Sequence, residues 1–439
     1  MEELPRVGGV PSSHPLSALS PRLALAAAAM TLVAASGASA RTTTVPGEVV
    51  VGYHGDATPH VLHVADPSAT IARLRAKPGV RYAVRNVVAH TTAAYVPNDP
   101  GRGATPGRWA AVQWNFTGPA GVNAPDAWGH LIAAGRPGGR GVKVAVLDTG
   151  IAYRAFGKTP ASPDLVGTHF VKGYDFVGHD PYANDRNGHG THVASTIAES
   201  TNNGVALTGL AYGASIMPVK VLDDDGEGDA AVIAKGVRYA ADHGAKVINL
   251  SLEFSADVGW QQIPQLIDAI SEARRKGAIV VAASGNEADR VVAYPARNAN
   301  VISVGSTTEH GCLSDFSNQG RGLDLVAPGG GPDAPLSDPG CTQDSTGRNI
   351  SQMTLIGVHH TKFGIPRGYQ GTSMAVPHVS ATAALVIASG VLGPDPSPDA
   401  VERRLEATAR DLGPAGYDTR YGWGLVDAAK ATDPTVPVS

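Results

Sequence analysis

Cysteine and aromatic residues are scarce in this chain of 439 residues, and its net charge is small. It has two cysteines, 5% aromatic residues and a net charge of −4. Neither cysteine has metal-ligand spacing, which excludes a cysteine zinc site. With no basic field to collect phosphate groups, we expect no nucleic-acid partner. Beyond the N-terminus we find no apolar tract that predicts a further membrane span, so we expect no membrane association after processing.

Apolar residues, glycine and proline are plentiful. Hydrophobic residues make up 43% of the chain, enough to bury a core, and 53 glycines and 32 prolines indicate many tight loops. The length allows one large α/β domain in addition to a processed leader.

The N-terminus is typical of a secretory leader. An apolar, alanine-rich stretch at 23–35 precedes the small residues 36–40, a pattern that favours a signal peptide at 1–40 and a secreted, extracellular protein. Acidic residues offset Arg6 and Arg22 in the long stretch before the apolar run. A disordered N-terminus or an uncleaved anchor therefore remains the alternative.

The two cysteines, Cys312 and Cys341, both lie in segments rich in Gly, Ser and Asp. In an exported protein such a pair predicts one disulfide, which would close a loop of about 30 residues and contribute about 3 kcal/mol. Two unrelated buried thiols are the alternative.

Apolar runs alternate with helical patterns from residue 95 onward. The predicted strands are 142–147, 216–221, 246–250, 278–283 and 301–304. The predicted helices are 189–199, 230–243, 261–276 and 373–389, with another that begins at Ser397. Continuous Val/Ile strands between helices predict an α/β fold with a parallel sheet covered on both faces.

A small separate unit precedes this domain at 41–94. Residues 48–53 predict a strand, 68–76 a short helix with Ser68 as N-cap, and 80–88 a second strand. These elements predict a small α+β domain.

Three distant segments carry a nucleophile, a base and an orienting carboxylate: 144–150 with Asp148, 187–193 with His189, and 371–378 with Ser373. A serine hydroxyl is a poor nucleophile until an imidazole, held in one tautomer by a carboxylate, takes its proton. In these segments the chain resembles the subtilases, and among them the thermitase-like and subtilisin-like members. The resemblance implies a serine endopeptidase with a subtilisin-like three-layer α/β/α fold at 95–439.

The same resemblance assigns the catalytic roles. Ser373 would be the nucleophile, His189 the general base and then the acid, and Asp148 the orienter. Asn286, in the segment 282–287, would donate to the oxyanion. Taken alone, Asp148 could cap a turn, His189 could be structural and Ser373 could be an N-cap. We exclude His192 as the base because it lies on another part of the helical turn.

Substrate contacts are also carried over from the family. Ser251 and Leu252 would pair with an extended peptide by strand addition, and the family's two following glycines are replaced here by Glu253 and Phe254. The pocket for P1, the substrate residue that supplies the scissile carbonyl, would be lined by Ala283, Ser284, Gly285, Glu287 and Ala293. We expect medium apolar or long P1 side chains and poor acceptance of acidic ones.

The family also implies structural calcium, which prefers oxygen ligands. The side chains of Asp99, Asp164 and Asn203 match ligand-bearing motifs, and the carbonyls of Thr201, Val205 and Leu207 would complete the shell. Ordinary turn chemistry of Asn and Asp is the alternative.

The expected partners are polypeptide substrates and the chain's own propeptide, 41–94, as an intramolecular inhibitor of a monomer. Maturation would cleave near Ala40 and again between His90 and Asn98. A catalytically silent binding domain and an esterase remain alternatives. The segment 329–370 matches no motif of the family.

Overall fold

The structure, a computed structural model, describes residues 44–87, 94–157, 159–336, 338–343, 345–357 and 359–437. The expected signal peptide lies outside the described residues. So does the first part of the stretch in which the second cleavage is expected, since residues 88–93 are not described.

The strands follow the apolar runs of the sequence. In chain order they are β1 (Thr44–Tyr53), β2 (His60–His63), β3 (Val80–Val87), β4 (Lys143–Asp148), β5 (His169–Phe170), β6 (Tyr174–Asp175), β7 (Ser215–Lys220), β8 (Val247–Leu250), β9 (Ile279–Ala283), β10 (Ile302–Thr307), β11 (Leu325–Pro328), β12 (Thr354–Ile356) and β13 (Lys362–Gly364). All five strands predicted for the main domain are present, with bounds within a few residues of the prediction.

The main sheet has eight strands in the order β11-β10-β9-β8-β4-β7-β5, and β6 also pairs with β7. Each of these pairings is parallel. Because β4, β8 and β9 are neighbours, the residues that follow them meet at one edge of the sheet, where sites of open α/β sheets form.

The helices are α1 (Pro67–Arg75), α2 (Trp109–Val112), α3 (Ala124–Ala133), α4 (His189–Ala198), α5 (Ala230–Asp242), α6 (Pro264–Arg275), α7 (Thr372–Ser389), α8 (Pro398–Thr408) and α9 (Ala428–Thr432). Local chemistry sets where several of them begin. Asp229 accepts hydrogen bonds from the N–H groups of Ala231 and Val232 at the start of α5. Ser397 caps α8 through the N–H of Ala400, as its sequence predicted.

Side chains of β4 alternate between two cores, since successive residues of a strand face opposite sides. Val144 and Val146 belong to the core covered by α3, α4, α7 and α8. Ala145 and Leu147 belong to the core covered by α5 and α6. The predicted three-layer α/β/α architecture is confirmed.

Helix α7 corrects one expectation. By length and composition its 18 residues could cross a membrane, although we expected no further tract of that kind. It is 78% buried inside the protein, and small residues let it lie within the first core. Its hydropathy is therefore explained by burial.

The N-terminal unit contains one strand more than predicted, because β1 pairs antiparallel with both β2 and β3. Its helix also begins earlier than expected. Asp66, and not Ser68, is the N-cap, accepting from the N–H of Ala69 at 3.0 Å. Helix α1 packs against the sheet through a small core of Val49, Val51, Leu74 and Ala83.

The segment 329–370 packs against α4. Thr354 donates to the carbonyl of Gly188, and Ser195 donates to that of Met353. The segment includes the antiparallel pair β12–β13. Its cysteine forms the predicted disulfide, with the Cα atoms of Cys312 and Cys341 5.7 Å apart.

Candidate active site

Asp148 and His189 meet where β4 ends and α4 begins. Nδ1 of His189 lies 2.8 Å from Oδ1 of Asp148, and the N–H of Thr149 donates to the same oxygen at 2.7 Å. Asp148 is fully buried. An ionised carboxylate can only accept, so Nδ1 carries the proton and Nε2 of a neutral ring is left as an acceptor.

Two glycines flank His189 for steric reasons. Gly188 has φ 107°, a left-handed conformation that favours glycine. A Cβ on Gly190 would lie 2.2 Å from the carbonyl oxygen of Gly150 and 3.0 Å from Asp148 Oδ1. Glycine at these two positions therefore lets α4 approach β4 closely enough for the ring to reach the carboxylate.

The loop before α4 is organised by Asp185, which the sequence analysis missed. This buried carboxylate accepts from the hydroxyls of Thr149 and Thr191 and from nearby backbone N–H groups. Burial raises the pKa of Asp185 despite these bonds. Its spacing of two residues before Asn187 is an Asx-turn pattern that could have revealed it.

Opposing effects act on the pKa of His189. Burial alone would lower it, but the charge and hydrogen bond of Asp148, with smaller contributions from Asp185 and Glu253, raise it overall. The side chain is 25% exposed. The ring is thus reachable from solvent and paired with a charge that stabilises its protonated form.

His192 differs in each of these respects. It is buried, its ring stacks on that of Tyr369 with centroids 4.2 Å apart, and its Nε2 lies 3.3 Å from the carbonyl oxygen of Ile350. Burial lowers the pKa of His192 to about 3. The ring stays neutral and has a structural role.

Ser373 lies in the first turn of α7, where helix N–H groups lack intrahelical partners. Its hydroxyl donates to the carbonyl of Ser251 at 3.2 Å, and the Ser251 hydroxyl donates back to the Ser373 carbonyl at 2.8 Å. A cleft of about 700 Å³ is lined by Ser373, His189 and Ser251 together. The three predicted catalytic segments therefore reach one cleft.

Asn286 follows β9 at the same edge of the sheet. Its Oδ1 accepts from the backbone N–H of Thr372 at 2.8 Å and from the Thr372 hydroxyl at 3.0 Å. Its Nδ2 lies 3.1 Å from each carboxylate oxygen of Glu253. The amide is fixed in one orientation against Thr372, and one of its two N–H groups is directed at Glu253.

The expected substrate-binding residues fall on both sides of this amide. Ser251 and Leu252 follow β8 and line the cleft. On the other side the buried Ala293 donates its N–H to the carbonyl of Ser284 at 2.8 Å. This bond ties Ala293 to the segment that continues through Ala283, Ser284 and Gly285.

Glu287 is exposed, and its carboxylate accepts from Nδ2 of Asn318 at 2.7 Å. Asn318 also accepts, through Oδ1, from the N–H groups of Glu287 and Asp289. It thus holds the loop that follows Asn286. No sequence pattern indicated this role for Asn318.

The expected calcium ligands come together in part. Asp164 Oδ1 accepts from Nδ2 of Asn203 at 2.8 Å, and Asp99 accepts from the backbone of Asn203 at 3.1 Å. The N–H of Leu207, rather than its carbonyl, contacts Asp164. Thr201 and Val205 lie in the same loop, with contacts to Thr208 and Asn203.

Glu199 joins this cluster and was missed by the sequence analysis. It is fully buried, its Oε1 accepts from the N–H of Met353 at 3.2 Å, and its carboxyl group is hydrogen-bonded to that of Asp164. Burial and the neighbouring charge of Asp164 raise the pKa of Glu199, and burial raises the pKa of Asp164 to about 7. Two buried carboxyl groups side by side offer the oxygen ligands that a hard cation prefers.

Comparison with known proteins decides the family. Residues 139–424, more than half of the chain, match the profile of the subtilase family. This chain belongs to the subtilase family. It is similar to thermitase from Thermoactinomyces vulgaris, with 36% identity over 337 residues that cover 77% of this chain and 99% of thermitase. Subtilisin BL from Lederbergia lenta is 39% identical over 322 residues, covering 73% of this chain and 99% of that protein.

Comparison with solved structures supports the same family. This subtilase is similar to a protease from Pseudoalteromonas arctica, with a TM-score of 0.61 and 32% identity over 77% of this chain and 99% of that one. A cold-adapted subtilisin-like serine proteinase matches with a TM-score of 0.50 and 30% identity over 66% of this chain and 88% of the other. As a subtilase, the chain is a serine endopeptidase that acts on polypeptides.

Proposed function

We propose that this subtilase is a secreted, self-processed endopeptidase that hydrolyses peptide bonds through an acyl-enzyme on Ser373. The observation that carries the proposal is the 2.8 Å bond between His189 Nδ1 and Asp148 Oδ1, in a cleft that Ser373 also lines. This pair supplies a base whose free nitrogen can accept a serine proton.

The first step needs a rotation of the Ser373 side chain away from the carbonyl of Ser251. Its hydroxyl then passes its proton to Nε2 of His189 as Oγ attacks the scissile carbonyl. The negative charge that develops on the carbonyl oxygen would be stabilised by Asn286 Nδ2 and by the N–H of Ser373.

In the second half His189 returns the proton to the leaving amine, and the acyl group stays on Ser373. Water then attacks the acyl-enzyme as His189 takes its proton; the bond between the acyl carbon and Ser373 Oγ breaks, His189 returns the proton to Oγ, and the carboxylic acid leaves. Asp148 holds the ring tautomer and stabilises the imidazolium.

Residues 41–94 would be the propeptide and inhibitor. On the face of its sheet that does not contact α1, this unit has three valines in register on adjacent strands. Val61 pairs with Val50, and Val50 pairs with Val84. Val61 is 48% exposed and Val84 41% exposed. An apolar face of this kind suits docking on the peptidase domain before cleavage between His90 and Asn98.

A disulfide between Cys312 and Cys341 supports secretion, since such bonds persist in oxidising compartments. The leader at 1–40 would direct export and be cleaved near Ala40. The mature enzyme would be a monomer, free of membrane, and a gel-filtration mass of twice the chain would contradict this.

Structural calcium is also proposed at the cluster of Asp99, Asp164 and Asn203, with Glu199 as a further oxygen ligand. The carbonyls of Thr201, Val205 and Leu207 would complete the shell. A bound divalent cation would neutralise buried carboxylates there and stabilise the folded state by mass action.

The testing experiment is parallel expression of the wild type and Ser373→Ala, followed by N-terminal sequencing. We expect the wild type to begin between His90 and Asn98 and the variant to retain the preceding segment. Ser389→Ala is the matched control and should process normally, because this hydroxyl contacts the backbone of Val386 and Val391 at the end of α7. Normal processing of Ser373→Ala would contradict self-cleavage.

A fluorophosphonate probe separates the alternatives. A silent binding domain would not label, whereas a serine hydrolase would label in the wild type and not in Ser373→Ala. Turnover of ester substrates without any cleavage of peptides would favour an esterase instead.

A further inference from the structure

The amide that should stabilise the oxyanion faces an acidic side chain. Both carboxylate oxygens of Glu253 lie 3.1 Å from Nδ2 of Asn286. The other end of the amide is held by the N–H and hydroxyl of Thr372, so it cannot turn to present its N–H groups elsewhere. The two oxygens of one carboxylate are too close together to take both N–H groups of an amide, so in this conformation Glu253 occupies one Nδ2 N–H and places a negative charge beside the other.

Electrostatic repulsion between Glu253 and the oxyanion adds to the loss of this N–H donor. A carboxylate beside the developing oxyanion would oppose the negative charge of the tetrahedral intermediate, and loss of one oxyanion donor costs about 10²–10³ in kcat in related enzymes. The backbone after Glu253 is fixed, because the N–H of Phe254 donates to the carbonyl of Tyr294 at 2.8 Å. Opening the site therefore requires the Glu253 side chain itself to move.

A second carboxylate lies nearby. Burial, together with the charge of Glu287, raises the pKa of Glu253 to about 6. Glu287 Oε2 lies 3.0 Å from where a Cβ on Gly285 would stand, which places it next to the residue before Asn286. Among the described residues, the side-chain partners of both carboxylates are asparagine amides, and no lysine or arginine pairs with either.

The substrate can supply a lysine or arginine partner for the Glu253 carboxylate. The P1 Cα is bonded to the carbonyl carbon that Ser373 attacks, so the P1 side chain starts beside Asn286. Glu253 lines the cleft there with His189 and Ser373. A long cationic side chain at P1 would reach the Glu253 carboxylate and gain a charge-assisted hydrogen bond.

We propose that Glu253 is a specificity-determining latch: it holds Asn286 until a lysine or arginine side chain at P1 draws the carboxylate away and frees the N–H for the oxyanion. The inference rests on the proposed roles of Ser373 and Asn286. Because Glu253 leaves Asn286 only in the bound complex, we expect the preference for a basic P1 residue to raise kcat more than it lowers KM.

The test compares two peptides that differ only at P1, one with lysine and one with norleucine, which keeps the stem and lacks the charge. We expect the wild type to favour lysine by about ten- to a hundredfold, the range of a hydrogen bond to a charged group. In Glu253→Gln the ratio should fall towards one, and kcat on the norleucine peptide should rise. Glu227→Gln, an exposed carboxylate on the rim of the same cleft, should keep the wild-type ratio.

Two results would overturn the latch: no lysine preference in the wild type, or an equal loss of kcat on both peptides in Glu253→Gln. Either result in an enzyme that labels with a fluorophosphonate leaves the proposed peptidase intact, whereas failure of the wild type to label would remove both proposals.

A crystal structure of Ser373→Ala with the lysine peptide gives a check that does not depend on Glu253→Gln. It should show the P1 Nζ on the Glu253 carboxylate and Asn286 Nδ2 released. A carboxylate still seated on Asn286 beside bound lysine would also overturn the inference.

Discussion

Asp148→Asn removes one negative charge from the catalytic pair and keeps the shape of the side chain. The N–H of Thr149 and Nδ1 of His189 both donate to Oδ1, so the amide oxygen of the variant must occupy that place. The new NH₂ group then replaces Oδ2, which is buried and accepts no hydrogen bond from the described residues. The variant should therefore keep the tautomer of His189 and lose only the charge that stabilises the imidazolium.

The size of the effect follows from Coulomb's law. Two unit charges about 4 Å apart interact by about 4 kcal/mol at an effective dielectric constant of 20. Lost from the transition state, that energy lowers kcat about a thousandfold. Lost from the free enzyme, it lowers the pKa of His189, which Asp148 raises.

The assay is kcat/KM against pH, whose acid limb reports the free base. Wild-type activity is lost as the pH falls through the raised pKa of His189. In Asp148→Asn that limb should lie at lower pH, on a plateau about a thousandfold lower. Asp126→Asn, an exposed change on α3, is the control and should leave the profile unchanged. A large loss of activity with an unmoved acid limb would refute the reasoning.

Three further predictions concern the oxyanion, calcium and the disulfide. Asn286→Leu should lower kcat about 10²–10³-fold with little change in KM, as steady-state kinetics on a peptide with lysine at P1 would show; an unchanged kcat on that peptide would remove Asn286 from catalysis. Chelation should lower the melting temperature of the wild type, and added calcium should restore it. In Asp164→Asn the melting temperatures with chelator and with calcium should be equal. An unchanged melting temperature in the wild type would mean that no ion stabilises this site. Replacing Cys312 and Cys341 by serine should lower the free energy of unfolding by about 3 kcal/mol in denaturant titrations, and an equal stability would contradict the loop-closure account.

Continuous apolar runs predicted five strands of the main sheet because these strands are buried on both faces. The short strands β5 and β6, of two residues each, carry no such pattern and exist through pairing with β7. The hairpin β12–β13 has the same origin, since packing against α4 decides it. Propensity in a window of a few residues does not contain that information.

Motifs located the proposed catalytic side chains but not the residues that contact them. The partner of Asn286, Glu253, lies 33 positions away, and Glu199 lies beside Asp164 only after folding. The sequence did mark Glu253 as a departure from the family's glycine. What the side chain does there depends on the distance to Asn286, which no local pattern encodes.

The rate of fluorophosphonate labelling at Ser373, followed by peptide mass spectrometry in the wild type and His189→Ala, tests most directly whether the imidazole activates this hydroxyl. We predict a single adduct on the peptide that contains Ser373 and a rate in His189→Ala lower by several orders of magnitude. An adduct on another residue, or equal rates in the two proteins, would contradict the account.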